Sequence, residues 1–163
     1  MTGVLLMLAG MLAAGILTAA FLLPVFRVYG NSMCPNLNRG DIVAAVKGQN
    51  WEQGDVIAFR FHNKILVKRL IAGPGSEVNI APDGSVYVDG SLLPEFYLPE
   101  KDMGTCTTEF PCTVPEGTYF VLGDERTVSA DSRNTQVGCV PKEQVIGKVA
   151  FRLWGSGGIG SIQ

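Results

Sequence analysis

The sequence predicts a mainly β protein: an antiparallel β-sandwich or barrel-like domain behind one N-terminal transmembrane helix. Three observations carry this. Residues 3–26, "GVLLMLAGMLAAGILTAAFLLPVF", hold no charge. Beyond them, short runs rich in Val, Ile, Phe and Tyr alternate with Gly, Pro, Asn and Asp. No later segment sustains a 3.6-residue apolar period, so strands must supply the core.

The apolar run comes first. About 20 apolar residues in a helix cross a bilayer core. A cleaved secretory signal has a shorter apolar region, about 7–15 residues, usually preceded by Lys or Arg. This run is longer and has no basic residue before it. Pro24 lies near its end, where a helix tolerates proline. The expected organisation is an uncleaved anchor over 1–26, one domain over 27–154 and a flexible Gly-rich tail over 155–163. The positive-inside rule has little to read at the N-terminus, and Arg27 on the other flank argues weakly against placing the following domain outside.

The strands follow in order. "DIVAAVK", "DVIAFRF", "KILVKRLIA", "SVYVDG", "TYFVLGD" and "GKVAFRLW" are each β-rich, and "NRGD", "EQGD", "GPGSE", "PDGS" and "PEGT" separate them as turns. "PDGSVYVDGSLL" reads as a hairpin turning at Asp89-Gly90. "PKEQV" begins a short helical turn at most. Pro94 to Pro115, with several prolines, reads as a surface excursion outside the core.

Composition narrows the function. The net charge of −2 and the lack of a basic, aromatic-interleaved stretch argue against nucleic acid. No Cys/His spacing resembles a zinc site, and no metal or cofactor is expected. Of the four cysteines, Cys106 and Cys112 bracket "TTEFP". They can pair if that loop is extracytoplasmic, and spacing alone leaves the matter open.

Three stretches carry candidate chemistry. Ser32 sits in the bend "GNSMCPNL" directly after the apolar run. A serine hydroxyl needs a partner to take its proton. His62, the one histidine, lies at a strand-to-turn junction in "FRFHNK" and reads as a solvent-facing turn residue. Lys68, in "ILVKRLIA", shares a strand face with Leu66 and Leu70, while Arg69 points the other way with Val67 and Ile71. Burial on an apolar face drives a lysine toward its neutral, basic form. On strand pattern alone, an edge lysine snorkelling to water accounts for it as well. "GDERTVSADSRN" is a polar loop in which Asp131 and Arg133 can pair and Ser129 can hydrogen-bond a neighbouring base; alone, it also reads as a solvated loop.

Together, "GNSMCPNLNRGDIV", "VKRLIAGPGSEV" and "GDERTVSADSRNTQVG", in this order behind a membrane segment, resemble the type I signal peptidases, membrane-bound serine proteases with a Ser-Lys dyad. The resemblance runs from the anchor to "VIGKVAFRLW". It implies Ser32 as nucleophile, Lys68 as general base and Ser129 as the serine that orients the lysine. It also implies Asp131 and Arg133 as a supporting pair, with Met33, Gly40 and Asp41 in supporting blocks. The backbone N–H of Ser32 is the implied oxyanion donor. Gly30 stands where some members place a second donor serine, and that choice resembles Gram-positive members. Asn36 replaces a more usual threonine, and Glu125 a more usual asparagine.

The resemblance further implies preproteins as substrates, cut after small-x-small sites such as Ala-x-Ala and bound as an added strand. It places the chain at the cell membrane as a single-pass protein and a monomer, with the lipid bilayer as partner and its catalytic domain on the extracytoplasmic side. Trp51, Phe59, Phe61 and Trp154 are either an apolar rim for lipid or, more in keeping with a sandwich, core residues. The main alternative is a catalytically silent relative that assists assembly of surface pili, which would be expected to lose Ser32 or Lys68. A self-cleaving repressor-type Ser-Lys protein conflicts with the membrane run. A mitochondrial inner-membrane peptidase has similar motifs and size.

Overall fold

The computed structural model describes residues 2–162, with the side chains of 2 and 16–22 outside the description. Helix α1 (Thr2–Leu22) stops before Pro24, which cannot extend it. Among the described residues no helix is long and apolar enough to cross a membrane. The span expected over 1–26 runs through 16–22 and so lies partly outside the described residues. Its far end differs from expectation: Val25 and Phe26 already belong to the first strand.

The chain then builds β1 (Val25–Arg27), β2 (Ile42–Val46), β3 (Val56–Phe61), β4 (Lys64–Ala72), β5 (Glu77–Ile80) and β6 (Val86–Val88). There follow β7 (Ser91–Leu92), β8 (Cys112–Thr113), β9 (Thr118–Leu122), β10 (Val140–Pro141), β11 (Val145–Trp154) and β12 (Gly160–Ser161). A single 3₁₀ turn, Lys142–Gln144, falls in "PKEQV". The larger sheet runs β1-β2-β11-β3-β4-β9-β10, with β12 on β11; the smaller runs β7-β6-β5-β8. All pairings among the described residues are antiparallel. The predicted hairpin turns where expected: Asp89 and Gly90 both have positive φ, 51° and 76°, the pair a tight turn needs.

Apolar residues gather in three clusters, centred on β2–β3, on β4–β9 and under the smaller sheet. Phe59 is a core residue at 0% exposure; Trp51 and Phe61 pack against the same cluster, and Trp154 is exposed. The excursion from Pro94 to Pro115 runs over the surface as predicted but departs from the prediction in also contributing to a core. Met103, Phe110 and Cys112 pack on the cluster under the smaller sheet, and Val114 is buried within it. Its prolines, Pro94, Pro99, Pro111 and Pro115, are all exposed, as a surface excursion requires, while these few residues reach back to close a core. Cys106 and Cys112 are free thiols in this structure.

The segment predicted as a tail also differs. β12 pairs with β11, and Ile162 packs against the β2–β3 cluster. Its glycines serve close approach. A Cβ on Gly155 (φ 151°) would lie 2.5 Å from Asp41 Cγ. Asp41 is buried and accepts hydrogen bonds from Asn38 N (2.9 Å) and Ser156 N (3.1 Å), and pairs with Arg152 (3.2 Å). Gly155→Ala is therefore expected to destabilise the fold by about 1–3 kcal/mol, read as a lowered midpoint in denaturant.

Candidate active site

The site begins with register. In the β3–β4 pairing, Ile57 lies opposite Lys68 and Phe59 opposite Leu66. Opposed residues share a sheet face. Ile57, Phe59, Leu66 and Leu70 all belong to the β4–β9 cluster, so Lys68 emerges on an apolar face and is only 3% exposed. Burial pushes its amine down to about 8; the carboxylates of Asp131 and then Asp124 oppose this, and Arg133 adds to it.

The Ser32 turn is pinned from both sides. Val28 N donates to the Asp41 carbonyl (2.8 Å) and Gly40 N to the Val28 carbonyl (2.7 Å), fixing the strand exit. Gly40 takes φ 98°, which favours glycine. After the serine, Met33 and Leu37 plug into the β2–β3 cluster at 2% and 0% exposure. Ser32 is left half-buried between an exposed Asn31 and the buried Met33. Lys68 Nζ lies 2.5 Å from Ser32 Oγ. A neutral amine at that distance can take the hydroxyl proton.

The loop from Gly123 to Arg133 closes the site. Glu125 N donates to the Ser32 carbonyl (3.0 Å). Arg133 grips both Asp131 oxygens (2.9 Å each), and Gly123 N donates to Asp131 Oδ2 (3.0 Å). Burial would raise the Asp131 carboxyl, but the hydrogen bonds and charge of Arg133 hold it below the usual carboxylate range. Ser129 differs from expectation. Its Oγ is buried with no hydrogen-bond partner among the described residues, Lys68 included. It lies close enough to Asp131 to favour the charged carboxylate, without hydrogen-bond geometry. His62 is exposed in the β3–β4 turn at φ 50°.

A groove of about 830 Å³ opens beside Ser32, between Val25–Met33 and Asn63–Lys68. β9 pairs with β4 only at Arg69, Leu70 and Ala72. Among the described residues, the groove-side edge of Lys64–Lys68 therefore has no strand partner. An extended peptide can add there.

Sequence reasoning missed several polar residues around the site. Arg69 donates to both Asp124 oxygens (2.9 and 2.7 Å), Asn36 Nδ2 donates to Asp124 Oδ2 (2.8 Å), and Arg126 pairs with Glu95. The available signal was the charged "GDER" directly after a strand buried throughout its last four residues.

Comparison with known proteins fits this geometry. The family model described as "Signal peptidase, peptidase S26" matches residues 1–154. Signal peptidase IB of Staphylococcus aureus is 34% identical over 154 residues, covering 82% of this chain and 79% of the relative. Signal peptidase I of Bacillus amyloliquefaciens is 34% identical over 152 residues, covering 85% and 78%. Among solved structures, a signal peptidase I from Enterococcus faecalis V583 superposes with a TM-score of 0.54 at 32% identity, covering 63% of this chain and 98% of that one. Fold, site and relatives together define a serine peptidase. The chain belongs to the signal peptidase family, peptidase S26.

Proposed function

We propose that this chain is a membrane-tethered endopeptidase that removes N-terminal signal peptides from exported preproteins, cutting after small-x-small sites, with Ser32 as nucleophile and Lys68 as general base. The observation that carries the reading is the 2.5 Å approach of Lys68 Nζ to Ser32 Oγ, on an amine lowered to about 8.

The steps follow from those atoms. Neutral Lys68 takes the Ser32 proton as Oγ attacks the scissile carbonyl carbon. Ser32 N, which makes no hydrogen bond among the described residues, is the donor to the oxyanion. The Lys68 ammonium then protonates the leaving amine, releasing the mature protein. A water deprotonated by Lys68 hydrolyses the acyl ester and restores Ser32. Gly30 offers no side chain to the oxyanion. The signal peptide lies in the groove as a strand along Lys64–Lys68, its small side chains filling shallow apolar pockets.

The proposed tether is the uncharged run of residues 3–26, a length of apolar sequence that suits a bilayer core, part of which lies outside the described residues. Its described apolar side chains face outward, Val4 to Met11 being 59–75% exposed where they are large. Anchoring confines enzyme and preprotein to one surface and raises their effective concentration. The catalytic domain then works on the extracytoplasmic face, where preproteins emerge.

The test uses the detergent-solubilised chain, its Ser32→Ala form and a preprotein bearing an Ala-x-Ala site, with products located by mass spectrometry. Cleavage after that site by the parent and none by Ser32→Ala is the expected result. A folded parent that cuts none of several preproteins would overturn the reading.

A further inference from the structure

The excursion that leaves the smaller sheet returns two side chains to the rear of the site. Along Glu95-Phe96-Tyr97, the middle residue is 96% exposed while Glu95 is buried and Tyr97 half-buried. The Tyr97 ring lies 4.0 Å from the Arg69 guanidinium carbon. Arg69 follows Lys68 on β4, grips both oxygens of Asp124, and gives Nη1 to the Gly54 carbonyl (2.8 Å). Asn36, on the turn after Ser32, donates to both the Tyr97 carbonyl (2.9 Å) and Asp124. Tyr97 Oη donates to Glu95 (2.8 Å), Glu95 pairs with Arg126, and Arg126 Nε donates to the Gly123 carbonyl (3.1 Å). One short segment thus touches all three blocks that form the site.

Resting on the dyad reading, we infer that Tyr97 is a positioning residue for the reaction: its ring caps Arg69, which keeps Asp124 neutralised and away from Lys68. The charged groups acting on Lys68 are Asp131, Asp124 and Arg133, all from the loop; Arg69 is its neighbour in sequence on β4. Those acting on Tyr97 are Glu95, Arg126 and Arg69. Two consequences of losing the ring have the same sign. A loosened Arg69 leaves more of the Asp124 charge acting on Lys68, and water entering behind Arg69 lessens the desolvation of the amine. Both favour the ammonium and raise its pKa. The lysine is then neutral only at higher pH.

The experiment is the pH dependence of kcat/KM, with kcat and KM separately, for the full chain in detergent on a peptide spanning an Ala-x-Ala site. Tyr97→Leu is expected to move the acid limb upward by about half a unit or more and to lower kcat at neutral pH about threefold or more, with KM unchanged. Tyr97→Phe keeps the ring over Arg69 and is expected to restore the parent limb. A Tyr97→Leu limb that coincides with the parent's, or a uniform loss at every pH, overturns the inference. Should Tyr97→Leu not fold, Tyr97→Met is read the same way; failure of both to fold also overturns it, by assigning Tyr97 to stability alone. Ser32→Ala and Lys68→Ala run alongside: cleavage by either sinks the dyad itself, whereas inert controls with an unmoved Tyr97→Leu limb sink only the role of Tyr97.

Discussion

Lys68→Arg is expected to lower cleavage at least about a thousandfold while leaving the fold intact, as is Lys68→Ala. The two variants fail for different reasons. Alanine removes the base. Arginine keeps a long cationic side chain, but a guanidinium stays protonated at any pH a protein survives and so cannot take the Ser32 proton. The buried amine, lowered to about 8, also fixes the sign of the pH dependence. The base works only when neutral, so kcat/KM should fall as pH drops below about 8, with roughly a tenth remaining one unit lower. A histidine base would place that limb near 6.5, the ordinary histidine value. His62 is exposed in the β3–β4 turn, and His62→Ala should leave the limb in place. An acid limb that vanishes in His62→Ala would reject the lysine.

The strand face of Lys68 was legible from period-two alternation, and the register bears the same apolar neighbours. The long strands were legible too, because each carries its own run of β-branched and aromatic residues. β5 was not: its sequence alternates exposed Glu77 and Asn79 with buried Val78 and Ile80, only two apolar positions. The packing of the Pro94–Pro115 excursion and of the Gly155–Ser161 segment was misread for one reason. Composition reports what a segment can do alone, and both segments are held by partners far away in sequence: Arg126 and the smaller sheet's core for one, Asp41 and β11 for the other. The Glu95–Arg126 and Arg69–Asp124 pairs are likewise set by tertiary contact, and no local pattern announces them. Buried pairs of this kind add little net stability, but leaving one partner unmatched is costly, which makes them good at holding a loop in one geometry.

Gly123 is where that geometry is tightest, and Gly123→Ala is expected to cost about a hundredfold in kcat with KM little changed. A Cβ there would meet Ser129 Oγ, and would lie 2.5 Å from the Ser32 carbonyl oxygen and 2.6 Å from Ser129 Cβ. Two of these atoms belong to a loop pinned through Asp131 and Arg133, and the third is backbone of the Ser32 turn, itself pinned by buried Met33 and Leu37. The Ser129 hydroxyl can rotate aside, but Ser129 Cβ and the Ser32 carbonyl oxygen are carried by the backbone and cannot. The added methyl must therefore push the Ser32 turn away from Lys68 or the loop away from both. A displacement of about 1 Å is enough to cost two orders of magnitude when reacting groups must meet in one arrangement. The groove is lined by residues of Val25–Met33 and Asn63–Lys68 and by none of the loop, so peptide binding should survive. The same crowding should lower stability by about 1–3 kcal/mol. Steady-state kinetics near pH 9, where Lys68 is largely neutral in the parent, separates the two effects. A variant with parental kcat would show that the loop yields without moving Ser32; a variant with raised KM and parental kcat would instead place Gly123 in peptide binding.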